Sequence, residues 1–170
     1  VLSGGISDTA ANLAPGGTAS SGLTNSTTQD GDVAITITGT APTVAELNKI
    51  ASLTTGAVTA SISGNKTTLA GLNTASTDAI TMTVTDAVTV AEFNTLDGKT
   101  NVGVILTGGV SDAAAAYAAT NGTATAGRTA IAAQDGDAAL TVTDAATVAQ
   151  ANSVATATTG TVVYLSLIHI

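Results

Sequence analysis

The stretch Asp78-Ala-Ile-Thr-Met-Thr-Val-Thr-Asp86, followed by Thr89-Val-Ala-Glu-Phe-Asn94, decides the fold of this chain. From Ile80 to Val84 apolar side chains alternate with threonines, and this period of two predicts a β-strand with one buried face. Thr89 stands three residues before Glu92, which is the spacing of a capping box at the start of a helix. The two patterns together predict a strand that leads into a short helix.

The same pattern recurs elsewhere in the chain. Capping-box pairs also follow the strand patterns that begin at Asp32 and Asp137, and a weaker copy of the unit lies at Thr68–Asn73. Thr43 with Glu46 and Thr147 with Gln150 are these further capping-box pairs. The spacing predicts repeating units of roughly 22 residues.

A longer repeat overlies the short one. Leu2-Ser-Gly-Gly-Ile-Ser-Asp8 matches Leu106-Thr-Gly-Gly-Val-Ser-Asp112 at an offset of 104 residues. Gln29-Asp-Gly-Asp32 matches Gln134-Asp-Gly-Asp137 at an offset of 105 residues. The chain therefore holds about one and a half copies of a large repeat that is itself made of smaller units.

These repeats predict an α/β fold, namely a repeat solenoid of short parallel strands that are each followed by a short helix. An all-β array of sandwich-like repeats is the alternative, because short strands between glycine-rich turns are typical of it as well. Residues 9–28 and 113–133 break the pattern. We predict loops there, with a further helix within 113–119.

The prediction for domain organisation is a single repeat segment over residues 1–164, truncated at both ends. Residues 165–170 differ in composition from the rest, and they back-translate to CTG-TCT-CTT-ATA-CAC-ATC. That resembles the transposase end sequence used to prepare sequencing libraries. We interpret residues 165–170 as an artefact in translated environmental DNA, and His169, the only histidine, belongs to it.

The composition excludes several classes of protein. The 170 residues carry 12 acidic and 4 basic side chains, a formal charge of −8, and no cysteine. A basic nucleic-acid surface, disulfides and thiolate metal sites are therefore excluded. No apolar run reaches the about 18 residues that a membrane span needs. Acidic, aromatic-poor repeats suit a long chain that stays soluble outside the cell, so we predict an extracellular or cell-surface location.

The candidate metal ligands lie in two Asp-Gly-Asp turns at equivalent places of the long repeat. Carboxylate oxygens are ligands that Ca²⁺ prefers, so Asp30, Asp32, Asp135 and Asp137 predict calcium sites. The alternative is that aspartate and glycine only form the turn before the next strand. The chain lacks the EF-hand spacing and the glycine-rich nonapeptide, which favours the turn. No other cofactor is predicted.

Asparagine recurs at one position of the units, at Asn48, Asn73, Asn94 and Asn152. We predict a stacked ladder that satisfies backbone groups in the turns, in preference to contact with a ligand. Threonines also alternate along several strands, and a flat array of threonine can match an ice lattice. Thr59-Ala-Ser-Ile-Ser63 and Val102-Gly-Val-Ile-Leu106 are predicted to interrupt that array.

No catalytic site is predicted. The serines have no base to activate them, and no acid, base and cation are placed together. We therefore predict no catalytic and no cofactor-binding residues, and a protein that is not an enzyme.

The stretch Thr89–Thr100, supported by Asp78–Asp86 and Thr147–Asn152, resembles the repeats of very large secreted and cell-surface proteins of cyanobacteria and other marine bacteria. The resemblance spans most of residues 1–164. It implies a structural, adhesive or surface-layer role, as a spacer, stalk or array, without catalytic residues. The partners it implies are neighbouring repeats of the same chain, surface polysaccharide or other cells.

Two alternatives remain open for the function. The first is a binding module that uses the threonine-rich strand face for ice or carbohydrate. The second is the scaffold of an enzyme whose catalytic domain lies elsewhere.

Overall fold

A computed structural model describes residues 2–167 of the chain, so His169 and the last residues of the predicted artefact lie outside the described part. The protein is mixed α/β, as predicted, and the alternative of all-β repeats is wrong. The strands are β1 (Ile6–Thr9), β2 (Ile35–Thr38), β3 (Val58–Gly64), β4 (Ala79–Val84), β5 (Val104–Leu106), β6 (Val110–Asp112), β7 (Leu140–Ala146) and β8 (Val162–Leu167). The helices are α1 (Ala10–Leu13), α2 (Ser21–Gln29), α3 (Val44–Ala51), α4 (Lys66–Ala70), α5 (Val90–Asp97), α6 (Ala114–Tyr117), α7 (Ala126–Gln134) and α8 (Val148–Ala155).

The strands form two sheets, ordered β1-β2-β3-β4-β5 and β6-β7-β8. The pairs β1–β2, β2–β3, β6–β7 and β7–β8 are parallel. Parallel neighbours need a crossover connection, and the helices that alternate with the strands supply it. In-register pairing places Ile6 beside Ile35 and Ile35 beside Val58, so apolar side chains stack on the same face of the sheet.

The predicted helix starts are confirmed. Thr43 at the start of α3 accepts from the Glu46 N–H, and Glu46 accepts from the Thr43 N–H at 2.9 Å. Thr147 and Gln150 make the same reciprocal pair at α8. At α5, Thr89 N–H donates to the Glu92 carboxylate at 2.8 Å. These boxes satisfy backbone N–H groups that a short helix otherwise leaves free.

The prediction of loops over residues 9–28 and 113–133 is wrong where α1, α2 and α7 lie, whereas the helix predicted within 113–119 is present as α6. Ser20 and Thr125 cap the starts of α2 and α7, respectively. Within α2 the Thr27 hydroxyl donates to the Leu23 carbonyl one turn earlier, at 3.0 Å. Hydroxyl groups satisfied in this way let a polar sequence stay helical although its apolar periodicity is weak.

The contacts divide the chain into two compact units, Val1–Thr83 with Asp97–Gly103 and Val84–Leu96 with Val104–Ile170. The largest fully buried side chains of the first unit are aliphatic: Ile35, Leu47, Ile50, Val58, Leu69, Leu72, Ile80 and Met82. Those of the second unit include two aromatic rings: Phe93, Leu96, Tyr117 and Leu140. Each unit therefore has an apolar core in which a few large side chains lie among many alanines and threonines.

The long repeat is present in the structure. The helices α1 and α6, like α3 and α8, begin and end 104 residues apart, and α2 and α7 begin and end 105 residues apart. We call residues 2–64 the first copy and residues 106–167 the second copy. The first copy lies within the first unit and the second copy within the second unit.

Candidate functional site

The two Asp-Gly-Asp turns connect a helix to the strand that follows it. Asp30 caps the end of α2, and its carbonyl accepts a 3.2 Å hydrogen bond from the Val33 N–H. Asp135 caps the end of α7, and its carbonyl accepts from the Ala138 N–H, also at 3.2 Å. Both segments therefore have the turn structure that aspartate and glycine favour.

The first aspartate of each turn also binds an earlier part of the backbone. Asp30 Oδ2 accepts a hydrogen bond from the Leu2 N–H, and Asp135 Oδ2 accepts one from the Leu106 N–H. Leu2 and Leu106 are equivalent residues of the two copies. The aspartate thus joins two backbone segments that are 28 or 29 residues apart, and we call such side-chain bonds to a distant backbone group the polar frame.

The pKa of the first aspartate is shifted in opposite directions in the two turns. Hydrogen bonds from the Leu2 N–H and the Asp32 carboxyl lower the pKa of Asp30 and outweigh the opposing effect of burial. Removal from water raises the pKa of Asp135, and repulsion from Asp137 acts in the same direction.

The structure brings the predicted calcium ligands together as pairs, Asp30 with Asp32 and Asp135 with Asp137. The second pair lines a cavity of about 240 Å³. Ca²⁺ takes about six to eight oxygen ligands, and within residues 2–167 no three His, Cys, Asp or Glu side chains are grouped to hold an ion. Backbone oxygens and water would have to complete the shell, and calcium stays a prediction.

Sequence reasoning missed two threonines that bind backbone segments 21 and 20 residues earlier in the chain. The Thr54 hydroxyl donates to the Val33 carbonyl at 2.6 Å and accepts from the Gly56 N–H at 2.9 Å. Thr158 makes the equivalent two contacts in the second copy, at 2.7 and 2.8 Å. A Thr-Thr-Gly triplet at both places, 104 residues apart, was the available signal.

The glycine of each triplet is required by a close approach of two backbones. A Cβ on Gly56 would lie 2.2 Å from the Asp32 carbonyl oxygen, and one on Gly160 would lie 2.1 Å from that of Asp137. These distances are far inside van der Waals contact, so only glycine fits.

Two buried polar residues of the first unit also accept hydrogen bonds from backbone N–H groups. Asp78 accepts from the Val58 N–H at 2.9 Å and from the Ala75 N–H at 2.8 Å. Thr100 accepts from the Ile80 N–H at 2.9 Å. Because an unpaired backbone N–H is costly to bury, these side chains are committed to stability and are not available to a ligand.

At Asn48 the structure shows the predicted contact with backbone groups, and the stacking of asparagines stays a prediction. The Asn48 side chain donates to the Gly71 carbonyl at 2.8 Å and accepts from the Asn73 N–H at 2.7 Å. It therefore satisfies backbone groups that lie 23 and 25 residues later in the chain, and both bonds are to backbone atoms. The ladder at Asn73, Asn94 and Asn152 stays a prediction.

Hydroxyl-bearing residues line one face of the first three strands in register. Ser7 lies beside Thr36, which lies beside Thr59. All three are exposed, and β3 continues the face with the exposed Ser61, where a serine stands in place of threonine. The predicted interruption at β5 is present as Ile105, which is 42% exposed.

Comparisons with protein-family models, with curated proteins and with solved structures find no match. Among the described residues, no helix is long and apolar enough to cross a membrane. The fold class is thus defined by the structure, and the function is argued below from the chain's own geometry.

Proposed function

We propose that this chain is a non-catalytic structural or adhesive repeat segment of an extracellular bacterial surface or secreted protein, built as a βα solenoid. One observation carries the proposal: identical backbone-binding contacts recur at offsets of 104 and 105 residues. They include the Leu2–Asp30 and Leu106–Asp135 bonds and the equivalent pair of bonds made by Thr54 and Thr158.

A repeated frame of this kind suits a spacer or stalk. Each turn of a solenoid adds a strand spacing of about 4.8 Å, so length grows with the number of units. The acidic, cysteine-free composition keeps a long array soluble. The resemblance to large bacterial surface proteins, with neighbouring repeats, polysaccharide or other cells as partners, belongs to the same proposal.

Tandem chains that contain one, two and three copies of residues 1–164 test the structural part. Stacked repeats stabilise one another, so the free energy of unfolding per copy should rise with copy number. Copies that unfold with unchanged midpoints would contradict a stacked array. Antibodies against residues 1–164 test the location: intact source cells should be labelled, and labelling only after permeabilisation would contradict it.

Calcium stiffening of the array is tested by thermal melts in calcium and in chelator. Ligation at Asp30 with Asp32, or at Asp135 with Asp137, would raise the melting temperature in calcium, because an ion that binds only the folded state stabilises it. A melt that calcium leaves unchanged would assign these aspartates to the turns alone. Asp32→Asn and Asp137→Asn report which copy holds the ion.

Binding of ice at the hydroxyl-bearing strand face is a second candidate function. The in-register row Ser7, Thr36 and Thr59 supports it, since parallel strands repeat at about 4.8 Å and give a regular exposed array. Carbohydrate has less support, because Phe93 and Tyr117 are fully buried, and Tyr164, the remaining aromatic residue, is half-buried with its hydroxyl bound to the Ala151 carbonyl.

An assay of ice recrystallisation distinguishes this candidate. The chain should inhibit recrystallisation and Thr36→Lys should abolish the effect. Thr28→Lys is the matched control, because Thr28 is an exposed threonine of α2, away from the strand row. No inhibition by the unaltered chain would exclude the ice-binding function.

A further inference from the structure

Residues 2–7 of the first copy and the equivalent residues 106–111 of the second copy differ in what lies beside them. In both copies one side is occupied by the following strand: Ile6 N–H donates to the Ala34 carbonyl, and Val110 N–H donates to that of Ala139, both at 2.8 Å. In the second copy the other side is occupied as well. In the first copy it is open among the described residues.

The segment that occupies this second side is Val84–Val88. Val88 lies beside Val110 in a parallel bridge. The Val88 N–H donates to the Gly109 carbonyl at 3.1 Å, and its carbonyl accepts from the Ser111 N–H at 2.8 Å.

The other end of the same segment is held by one carbonyl. Val84 O accepts from the Gly108 N–H at 3.2 Å and from the Thr107 hydroxyl at 2.8 Å. All of these residues belong to the second unit.

The first copy has the same donors and acceptors. Ser3, Gly4, Gly5 and Ser7 stand at the positions of Thr107, Gly108, Gly109 and Ser111. Successive residues of a parallel strand direct their N–H groups to opposite sides. Because the Ile6 N–H points to β2, the Ser7 N–H points to the open side, as that of Ser111 points to Val88.

The difference in burial follows the same edge. Leu2 is 45% exposed and its equivalent Leu106 is 3% exposed. Ile6 is half-buried, whereas its equivalent Val110 is 1% exposed. The first copy thus exposes apolar surface where the second copy buries it.

We propose that the open edge at Leu2–Ser7 is a docking site for a parallel extended segment of the Val84–Val88 type, supplied by another repeat. Its partner is a Val-Thr-Asp-Ala-Val strand that offers one carbonyl to Ser3 and Gly4, forms a bridge beside Ile6, and offers a second carbonyl to the Ser7 N–H. The inference rests on the proposed repeat function, whose neighbouring unit it specifies. The addition of a strand to an exposed edge is a general mode of recognition.

The test adds a copy of residues 65–104 directly before Val1 of the full chain. Val1 then follows the added Val104, as Ile105 follows it in the natural sequence. Hydrogen exchange at the Ser7 amide should slow by ~10-fold or more, towards the rate of the Ser111 amide. A Ser7 amide that exchanges as fast as in the unextended chain, while Ser111 stays slow, would overturn the proposal.

A matched extension carries Val88→Pro in the added copy only. Proline has no N–H to donate to the Gly5 carbonyl, so the Ser7 amide should return to fast exchange. Slow exchange with both extensions would contradict docking of this segment. This test can be separated from the test of the proposed repeat function. If tandem copies do not stabilise one another but the Ser7 amide is protected in the extended chain, only the stacked array is contradicted.

Discussion

The first and second copies share a polar frame and differ in the side chains packed around it. Asp30 and Asp135 occupy the same place and make the same backbone contact, as do Thr54 and Thr158. The core changes freely: Leu13 of α1 is replaced by Tyr117 of α6. The backbone geometry is therefore set by a few hydrogen-bonding residues, and packing adapts to it.

The capping boxes show how one position is tuned to its surroundings. Glu46 is half-buried and accepts from Thr43. Gln150, its equivalent, is 4% exposed, and its amide also donates to the Ala118 carbonyl at 2.9 Å. A carboxylate could not make that second bond, so burial explains why the second copy has glutamine.

Removal of the Tyr117 ring should have the largest effect on the second copy. Tyr117 is fully buried, and its hydroxyl donates to the Thr141 carbonyl at 3.1 Å. Tyr117→Ala should lower the free energy of unfolding by about 4 kcal/mol, whereas Tyr117→Leu, which restores the residue of the first copy, should lose about half as much. Urea unfolding measures both, and Val148→Ala at a 57% exposed site is the control. Equal losses for Ala and Leu would refute the idea of an adaptable core.

Replacement of the glycine at each close backbone approach should lower the stability of both copies equally. Gly56→Ala and Gly160→Ala each place a Cβ against a carbonyl oxygen and should cost about 3 kcal/mol. Gly4→Ala is the control, because a Cβ there meets nothing within 4 Å. If one variant is tolerated and the other is not, the two copies do not share this frame.

Exchange of glutamate and glutamine in the capping boxes should change stability by different amounts in the two copies. Gln150→Glu buries a carboxylate facing the Ala118 carbonyl and should cost about 2 kcal/mol. Glu46→Gln should be nearly neutral at pH 7, since Gln150 makes the same cap with a neutral amide. Thermal melts of the two variants provide the comparison, and equal losses would contradict the assigned burial.

Loss of a single threonine hydroxyl should lower stability by less than the changes above. Thr54→Val and Thr158→Val keep the side-chain shape, remove three hydrogen bonds each, and should cost about 1 kcal/mol. Thr55→Val should cost less, because its contact with the Gly31 carbonyl is longer, at 3.3 Å, and exposed. Chemical denaturation that ranks Thr55 above Thr54 would oppose the assigned role.

The smallest effect concerns pH. Hydrogen bonds from the backbone and hydroxyl of Thr43 lower the pKa of Glu46 from its usual 4.5. The stability this contributes is therefore present above pH 4.5 and lost as pH falls through the folded-state pKa. Glu46→Gln should reduce the fall in melting temperature from pH 7 to pH 3 by about 1 °C. If the variant and the unaltered chain show the same fall in melting temperature, Glu46 does not contribute to the loss of stability in acid.

Much of the local structure could be predicted from patterns. The alternation at Ile80–Val84 and the Thr-x-x-Glu spacing located a strand and the start of a helix correctly. The helices α2 and α7 were missed because their signals are weak: they depend on capping by Ser20 and Thr125 and on hydroxyl bonds such as that of Thr27 to Leu23. Such bonds become visible only when the helix is formed.

The sequence by itself determined the α/β class and the long repeat, because periodicity, caps and recurring motifs can be identified without knowledge of distant contacts. Only the tertiary structure decided what the polar residues do. The partner of Asp30 lies 28 residues away at Leu2, and that of Thr54 lies 21 residues away at Val33. Bonds across such separations form only after parallel strands have aligned, because the pairing of neighbouring strands determines which carbonyl or N–H each side chain meets.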